Sequence, residues 1–170
     1  MKSRNGFRKT LMFSFLTGAL SLTYVISTAA GTAKAENPDS TVPLKAQDAG
    51  TWGVGSHECG TSLPVVVETT GTATHLGHYT YASQECADLA AMTYQGEFTI
   101  RAADGATLFG TYEGTFDFDE DGNIVYHQTN TISGGTGRLT DASGLFTVSG
   151  IADTSSFADE QVLLGFISLH

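Results

Sequence analysis

The sequence predicts an all-β fold: a single small antiparallel β-barrel of about eight strands, preceded by a signal peptide and a short flexible tether. Three observations lead there. Runs rich in Val, Ile, Thr, Phe and Tyr alternate with polar residues through most of the chain after residue 50. Turn dipeptides separate them: Asp104-Gly105, Asp121-Gly122 and Gly134-Gly135. Gly is abundant, 20 of 170 residues, and no segment has the period of a long helix.

The first 35 residues have the three parts of a secretory leader. Lys2, Arg4, Arg8 and Lys9 form a basic start, residues 11–30 are uncharged, and Ala33-Lys34-Ala35 is a small-x-small cleavage site. Ser14, Thr17, Gly18 and Ser21 dilute the apolar stretch, which favours cleavage after Ala35 over an uncleaved anchor. The leader lacks Cys and an Arg-Arg pair, so the expectation is the general secretory route and a secreted or periplasmic protein.

Removing the leader sharpens the charge. The whole chain carries −10, but only Lys45, Arg101 and Arg138 remain against all 18 acidic residues, giving about −15. Such a domain repels nucleic acid and anionic membrane surfaces, so neither is expected as a partner after cleavage. Cys59 and Cys86 would lie in an oxidising compartment, where an even count favours one disulfide. It would close roughly 28 residues and contribute roughly 3.5 kcal/mol by chain entropy. A Cys nucleophile or metal ligand is the alternative.

Residues 36–50, with Pro38 and Pro43, read as the tether, and the barrel domain as 51–170. Strands are expected near Val65–Thr70, Thr72–Tyr81, Tyr94–Ala102, Thr107–Phe118, Asn123–Ser133, Gly144–Ala152 and Val162–His170. Glu85–Met92 alone suits a helical turn or two. Antiparallel strands without a long helix make a sandwich or a closed barrel, and even hairpin spacing favours the barrel.

Register follows from the turns. A two-residue loop at Asp104-Gly105, and a two- or four-residue loop at Asp121-Gly122, set the parity of three strands. One face then carries Phe98, Ile100, Phe109, Thr111, Glu113, Thr115, Ile124, Tyr126, Gln128, Asn130 and Ile132. The other carries Glu97, Thr99, Arg101, Leu108, Tyr112, Phe116, Val125, His127 and Thr129. The first, apolar with its polar groups gathered at one end, is taken as the interior.

The stretch Gly134-Gly135-Thr136-Gly137-Arg138-Leu139, with Gly144 beyond it, resembles the corresponding part of dirigent proteins and allene oxide cyclase-like barrels. Leu108-Phe109-Gly110-Thr111-Tyr112-Glu113-Gly114 is in keeping with that group. The resemblance implies an eight-stranded antiparallel barrel with an apolar cavity open at one end. It also implies chemistry that cyclises reactive intermediates, or holds radical or cationic ones in a chiral pocket, and a possible homo-oligomer, a trimer. No catalytic motif of that group aligns here, so no catalytic residue carries over.

The candidate chemistry centres on Glu113, Gln128 and Asn130, with Tyr126 near and Phe98 and Phe109 as apolar lining. A carboxyl inside an apolar barrel acquires a raised pKa and can act as an acid or base. A polar rim or a satisfied core cluster is the plainer reading. His75 is a second candidate base, but it and His78 are three apart and face opposite sides of a strand. His57-Glu58-Cys59 matches no zinc spacing. Asp117, Asp119 and Asp121 imitate the start of a calcium loop, yet Gln128 stands where the bidentate Glu belongs, so an acidic hairpin is the plainer reading. No phosphate loop or nucleophile elbow is present, and no cofactor is implied.

Three functions remain in view. The first is a small barrel binding an apolar molecule in its cavity. The second is a cyclase or isomerase using the same cavity. The third is a structural or partner-binding protein with a solid barrel.

Overall fold

The computed structural model describes residues 40–170. The leader, its cleavage after Ala35 and the first residues of the expected tether lie outside the described residues. Eight strands follow one another: β1 (Ser40–Val54), β2 (Leu63–Ala73), β3 (Gly77–Asp88), β4 (Thr93–Ala102), β5 (Thr107–Phe118), β6 (Ile124–Gly135), β7 (Ser143–Ala152) and β8 (Ala158–Leu169). Each pairs antiparallel with the next, and β8 closes on β1 to complete the barrel. A single 3-10 turn, Gly137–Leu139, joins β6 to β7.

Three sequence expectations need correction. Residues 40–50 are not tether. They form most of β1, pairing with β8 from Ser40↔Leu169 to Thr51↔Ala158. Pro43 sits in this strand with its side chain outward, while Leu44, Ala46 and Asp48 face in. The run Thr72–Tyr81 is two strands, because Thr74-His75-Leu76 turns the chain and His75 adopts φ 63°. Glu85–Asp88 continues β3 rather than starting a helical turn.

Parity is the fourth correction. In the β4–β5 hairpin, the Ala102 N–H donates to Ala106 O (2.9 Å) and the Gly105 N–H to Ala102 O (2.9 Å). The β5–β6 hairpin repeats the pattern, with Asp119 N–H to Asn123 O (3.0 Å) and Gly122 N–H to Asp119 O (3.1 Å). Each is a three-residue loop whose third residue is a left-handed Gly, at φ 87° and 83°. Odd loops reverse the parity expected from two or four residues. β5 is therefore flipped, and the second odd loop flips β6 back. Phe98 and Ile100 pair with Gly110 and Leu108 and face in. Leu108, Tyr112 and Phe116 also face in, while Phe109, Thr111, Glu113 and Thr115 face solvent.

The interior is filled by a recurrent device. Tyr94 lies opposite Gly114, Tyr112 opposite Gly96, Phe98 opposite Gly110, Tyr126 opposite Gly150 and Phe146 opposite Gly165. A Cβ on any of these glycines would collide with its neighbours, and at Gly96, Gly114 and Gly150 with the facing tyrosine ring. The glycines make room for aromatic rings that cross the narrow barrel.

The barrel has two unlike halves. At the end holding the β2–β3, β4–β5 and β6–β7 turns, Leu44, Leu108, Leu163, Ile167 and the plug residue Leu139 pack with at most 1% exposure. Leu139 belongs to the 3-10 turn of the Gly134–Leu139 motif, so that motif forms the closed end. A layer of Phe98, Phe146 and Tyr81, in edge and stacked contact, separates this core from the other half.

Candidate functional site

Beyond that aromatic layer the barrel is hollow. A cavity of about 280 Å³ occupies the half nearest loops 55–62, 89–92, 119–123 and 153–157. Leu63, Val65, Val67, Ile124 and Ala152 give it an apolar wall, and Tyr94, Phe116, Phe118 and Tyr126 an aromatic one. Trp52 belongs to this wall. Its indole N–H donates to Asp153 O (3.0 Å) and its ring packs on Phe157, pinning loop 153–157. Leu89 and Phe118, at the mouth, are exposed despite being apolar.

The alternation of each strand delivers polar groups to this wall. In β3, Tyr79, Tyr81, Ser83 and Glu85 face in; in β8, Asp159 and Gln161 do. The Tyr112 hydroxyl donates to Glu85 Oε2 (2.6 Å). The Tyr126 hydroxyl meets Asp159 Oδ1 (2.9 Å) and Oδ2 (3.0 Å), with Gln161 Oε1 at 3.1 Å. Tyr94 donates to Gln128 Oε1 (3.0 Å), and Gln128 Nε2 donates to Asn130 Oδ1 (3.0 Å). Deeper in, Tyr79 donates to Asp48, and Gln161 Nε2 to Thr69 Oγ1 (3.2 Å).

The barrel interior thus holds three carboxyls and no Lys, Arg or His among the described residues. Burial raises Glu85 to about 7; the Tyr112 hydrogen bond opposes the rise and the Asp159 charge adds to it. Burial raises Asp159 to about 6, with the Tyr126 hydrogen bond opposing and the charges of Asp48 and Glu160 adding. Burial also lifts Asp48, against its bond from Tyr79. Tyr81, Tyr94, Tyr112 and Tyr126 are pushed above their ordinary range by burial and stay neutral donors. A pair of carboxyls titrating near neutrality beside an apolar cavity can exchange protons with a bound molecule.

The expected site residues divide. Tyr126, Gln128, Asn130 and Phe98 lie inside the barrel; Tyr126 and Gln128 line the cavity, whereas Asn130 and Phe98 are buried outside its lining. Glu113 and Phe109 do not join them, because the flipped β5 turns both outward. His75 is an exposed turn residue on the closed half, remote from the cavity lining. Asp119 closes its own hairpin, with Oδ1 accepting from Asp121 N–H (3.0 Å) and Asn123 N–H (2.8 Å). Asp117 Oδ1 accepts from Phe118 N–H (2.8 Å), and Gln128 is buried in the barrel, so no calcium loop forms.

Cys59 and Cys86 form a disulfide, with Cα atoms 5.4 Å apart. It ties loop 55–62 to β3 next to Glu85, where the His57 Nε2 also meets Glu85 O at 2.9 Å. Among the described residues, His57, Cys59 and Cys86 are the His/Cys/Asp/Glu group close enough to share an ion, and its two sulfurs are bonded to each other.

Sequence reasoning missed Glu85, Asp159 and Asp48. Each lay in a segment read as helical turn, connection or tether. The signal was present as an extension of period-two runs, such as Tyr79-x-Tyr81-x-Ser83-x-Glu85 and Asp159-x-Gln161-x-Leu163.

No family model and no curated protein matches this sequence. Among solved structures, the chain is similar to the pterocarpan synthase dirigent protein GePTS1, with a TM-score of 0.57 and 13% identity. The match covers 83% of this chain and 99% of that one. At that identity the likeness speaks for backbone architecture alone, and the eight-stranded up-and-down closure agrees with it: the chain has a dirigent-like β-barrel fold.

Proposed function

We propose that this protein binds a small, largely apolar molecule in the open half of its barrel, outside the cytoplasm. The observation that carries this reading is the 280 Å³ cavity, walled by aliphatic and aromatic side chains with a few converging polar groups. A dry engineered cavity of about 150 Å³ takes benzene, so this larger cavity, open at its mouth, suits a molecule of about two to three rings. The disulfide and the dirigent-like fold are consistent with an extracellular setting.

An uncharged dye, N-phenyl-1-naphthylamine, tests the reading. Its emission should rise on saturable one-to-one binding, and Ala152→Phe, which fills the cavity from a wall position, should abolish the rise. No enhancement, or equal enhancement in a folded Ala152→Phe protein, contradicts it.

A second reading rests on Glu85 and Asp159. Carboxyls raised to about 7 and about 6 at the wall of an apolar cavity suit proton transfer of the cyclase or isomerase type. The ring opening of 5-nitrobenzisoxazole, which needs only removal of a carbon-bound proton, reports such a base. Turnover that rises through pH 7 and vanishes in Glu85→Gln supports an enzyme. Rates equal to those in free acetate solution leave the protein a binder.

A further inference from the structure

We propose that the cavity selects molecules bearing a protonated amine on an apolar body and rejects carboxylates of the same shape. This rests on the cavity-binding reading above, and adds the charge class of what enters.

Three independent features support it. The first is the hydrogen-bonding balance of the wall. The hydroxyl protons of Tyr112 and Tyr126 are already committed to Glu85 and Asp159. Around Glu85 and Asp159, what is left for a ligand is acceptor capacity: the lone pairs of two carboxylates and of Gln161 Oε1; the hydroxyls of Tyr81 and Ser83, also on the wall, can donate or accept. Among the described residues Glu85 Oε1 receives no hydrogen bond. An ammonium group brings donors and charge to these oxygens, whereas a ligand carboxylate brings more acceptors and a repelling charge.

The second is the field at the mouth. Acids flank the opening on every side: Glu58 in loop 55–62, Asp88 beside loop 89–92, Asp119, Glu120 and Asp121 in loop 119–123, and Asp153 in loop 153–157. None of these loops contains Lys or Arg. The three described basic residues lie at the other end or outside. Lys45 is exposed on β1 beside Thr74 of the β2–β3 turn, Arg101 is near the β4–β5 turn, and Arg138 is paired with Asp104. The barrel is therefore polarised along its axis, acidic at the open end, and the low-dielectric wall focuses that field on an approaching cation.

The third is the aromatic wall. Trp52, Tyr94, Phe116, Phe118 and Tyr126 present rings around the space in which a cation would sit, and ring faces attract ammonium groups. Glu85 is hydrogen-bonded by Tyr112 and lies within electrostatic reach of Tyr81, Tyr94 and Asp159; Asp159 is hydrogen-bonded by Tyr126 and lies within reach of Asp48 and the adjoining Glu160. Among the described residues, no positive side chain competes for either carboxylate.

The test uses 2-naphthylmethylamine, 2-naphthylmethanol and 2-naphthoate, measured by calorimetry at pH 8 with the disulfide intact. The amine should bind about tenfold tighter than the alcohol, with naphthoate weaker than both. Raising salt to near molar should weaken the amine severalfold and leave the alcohol unmoved. In Glu85→Gln/Asp159→Asn the amine-to-alcohol ratio should fall towards unity. Equal affinities for amine and carboxylate, or no salt dependence of the wild-type amine affinity, overturns the proposal without needing the variant to fold. Binding of the alcohol without the charge preference leaves the cavity reading standing and removes this one. Binding of none of the three removes both.

Discussion

Replacing Glu85 with Gln should stabilise the protein, and only above mildly acidic pH. Glu85 would titrate near 4.5 in the unfolded chain and does so at about 7 in the barrel, chiefly because burial disfavours its charge. Between those values the folded state holds a proton that the unfolded chain has released. Stability therefore falls as pH rises through this window and levels off above it. Below about 4.5 both states are protonated and the residue contributes no pH dependence. At about 1.4 kcal/mol per pH unit, the full penalty is about 3 kcal/mol. Gln keeps an oxygen to accept from Tyr112 and carries no charge to bury. Its gain should be near zero at pH 4.5 and approach about 3 kcal/mol at pH 8, or roughly 10 °C in Tm for a domain of this size. Urea unfolding of both proteins across pH 4 to 8.5 measures the difference directly. A difference that stays flat with pH, or a variant less stable at pH 8, would refute the assignment of Glu85 as a half-buried carboxyl whose desolvation outweighs its hydrogen bond from Tyr112.

Other perturbations test separate parts of the structure. Cys59→Ser/Cys86→Ser should lose roughly 3 kcal/mol in urea unfolding, as expected for freeing a loop spanning 27 positions; an unchanged midpoint would mean the bridge constrains little. Gly150→Ala should displace Tyr126 from Asp159 and cost about 1–3 kcal/mol, because its Cβ would overlap the tyrosine ring; ultraviolet difference spectra of the tyrosines should report it, and a neutral result would count against close glycine–tyrosine packing. His75→Gly should be neutral or stabilising by about 1 kcal/mol, since His75 holds a left-handed turn conformation at φ 63°; a loss of ligand binding would restore His75 as a site residue. The outward face of β7 and β8 shows Leu145, Ile151, Val162, Leu164 and Phe166, with Glu160 as its one acid. We predict self-association through it, to be read by sedimentation, with Leu164→Glu dissociating the assembly; a wild-type monomer at micromolar concentration removes the idea.

The barrel was legible because its hairpins are local. Asp104-Gly105 and Asp121-Gly122 mark turns wherever they fall, and Phe98, Ile100 and Ile132 alternate as core residues must. What the dipeptides do not encode is whether Gly occupies the second or third loop position. That one-residue ambiguity turned Glu113 and Phe109 from the interior to the surface, while Tyr126, Gln128 and Asn130 came out inside because two odd loops restore parity. β1 was hidden by its composition: Pro43, Lys45, Gln47 and Asp48 look like linker until β8 pairs beside them. The acids of the site were hidden for a related reason. Period-two reading assigns apolar residues to the core, so Asp48, Glu85 and Asp159 fell outside the predicted strands, in segments read as tether, helical turn and connection. A functional site that places charge where the pattern demands hydrocarbon obscures itself from pattern reading.

The most direct measurement of the central claim is native mass spectrometry of the protein prepared from its own host. The account predicts a folded, disulfide-bonded species carrying one small molecule, released on gentle activation and absent from Ala152→Phe. A bare polypeptide mass in every preparation, or an adduct that persists when the cavity is filled, would contradict it.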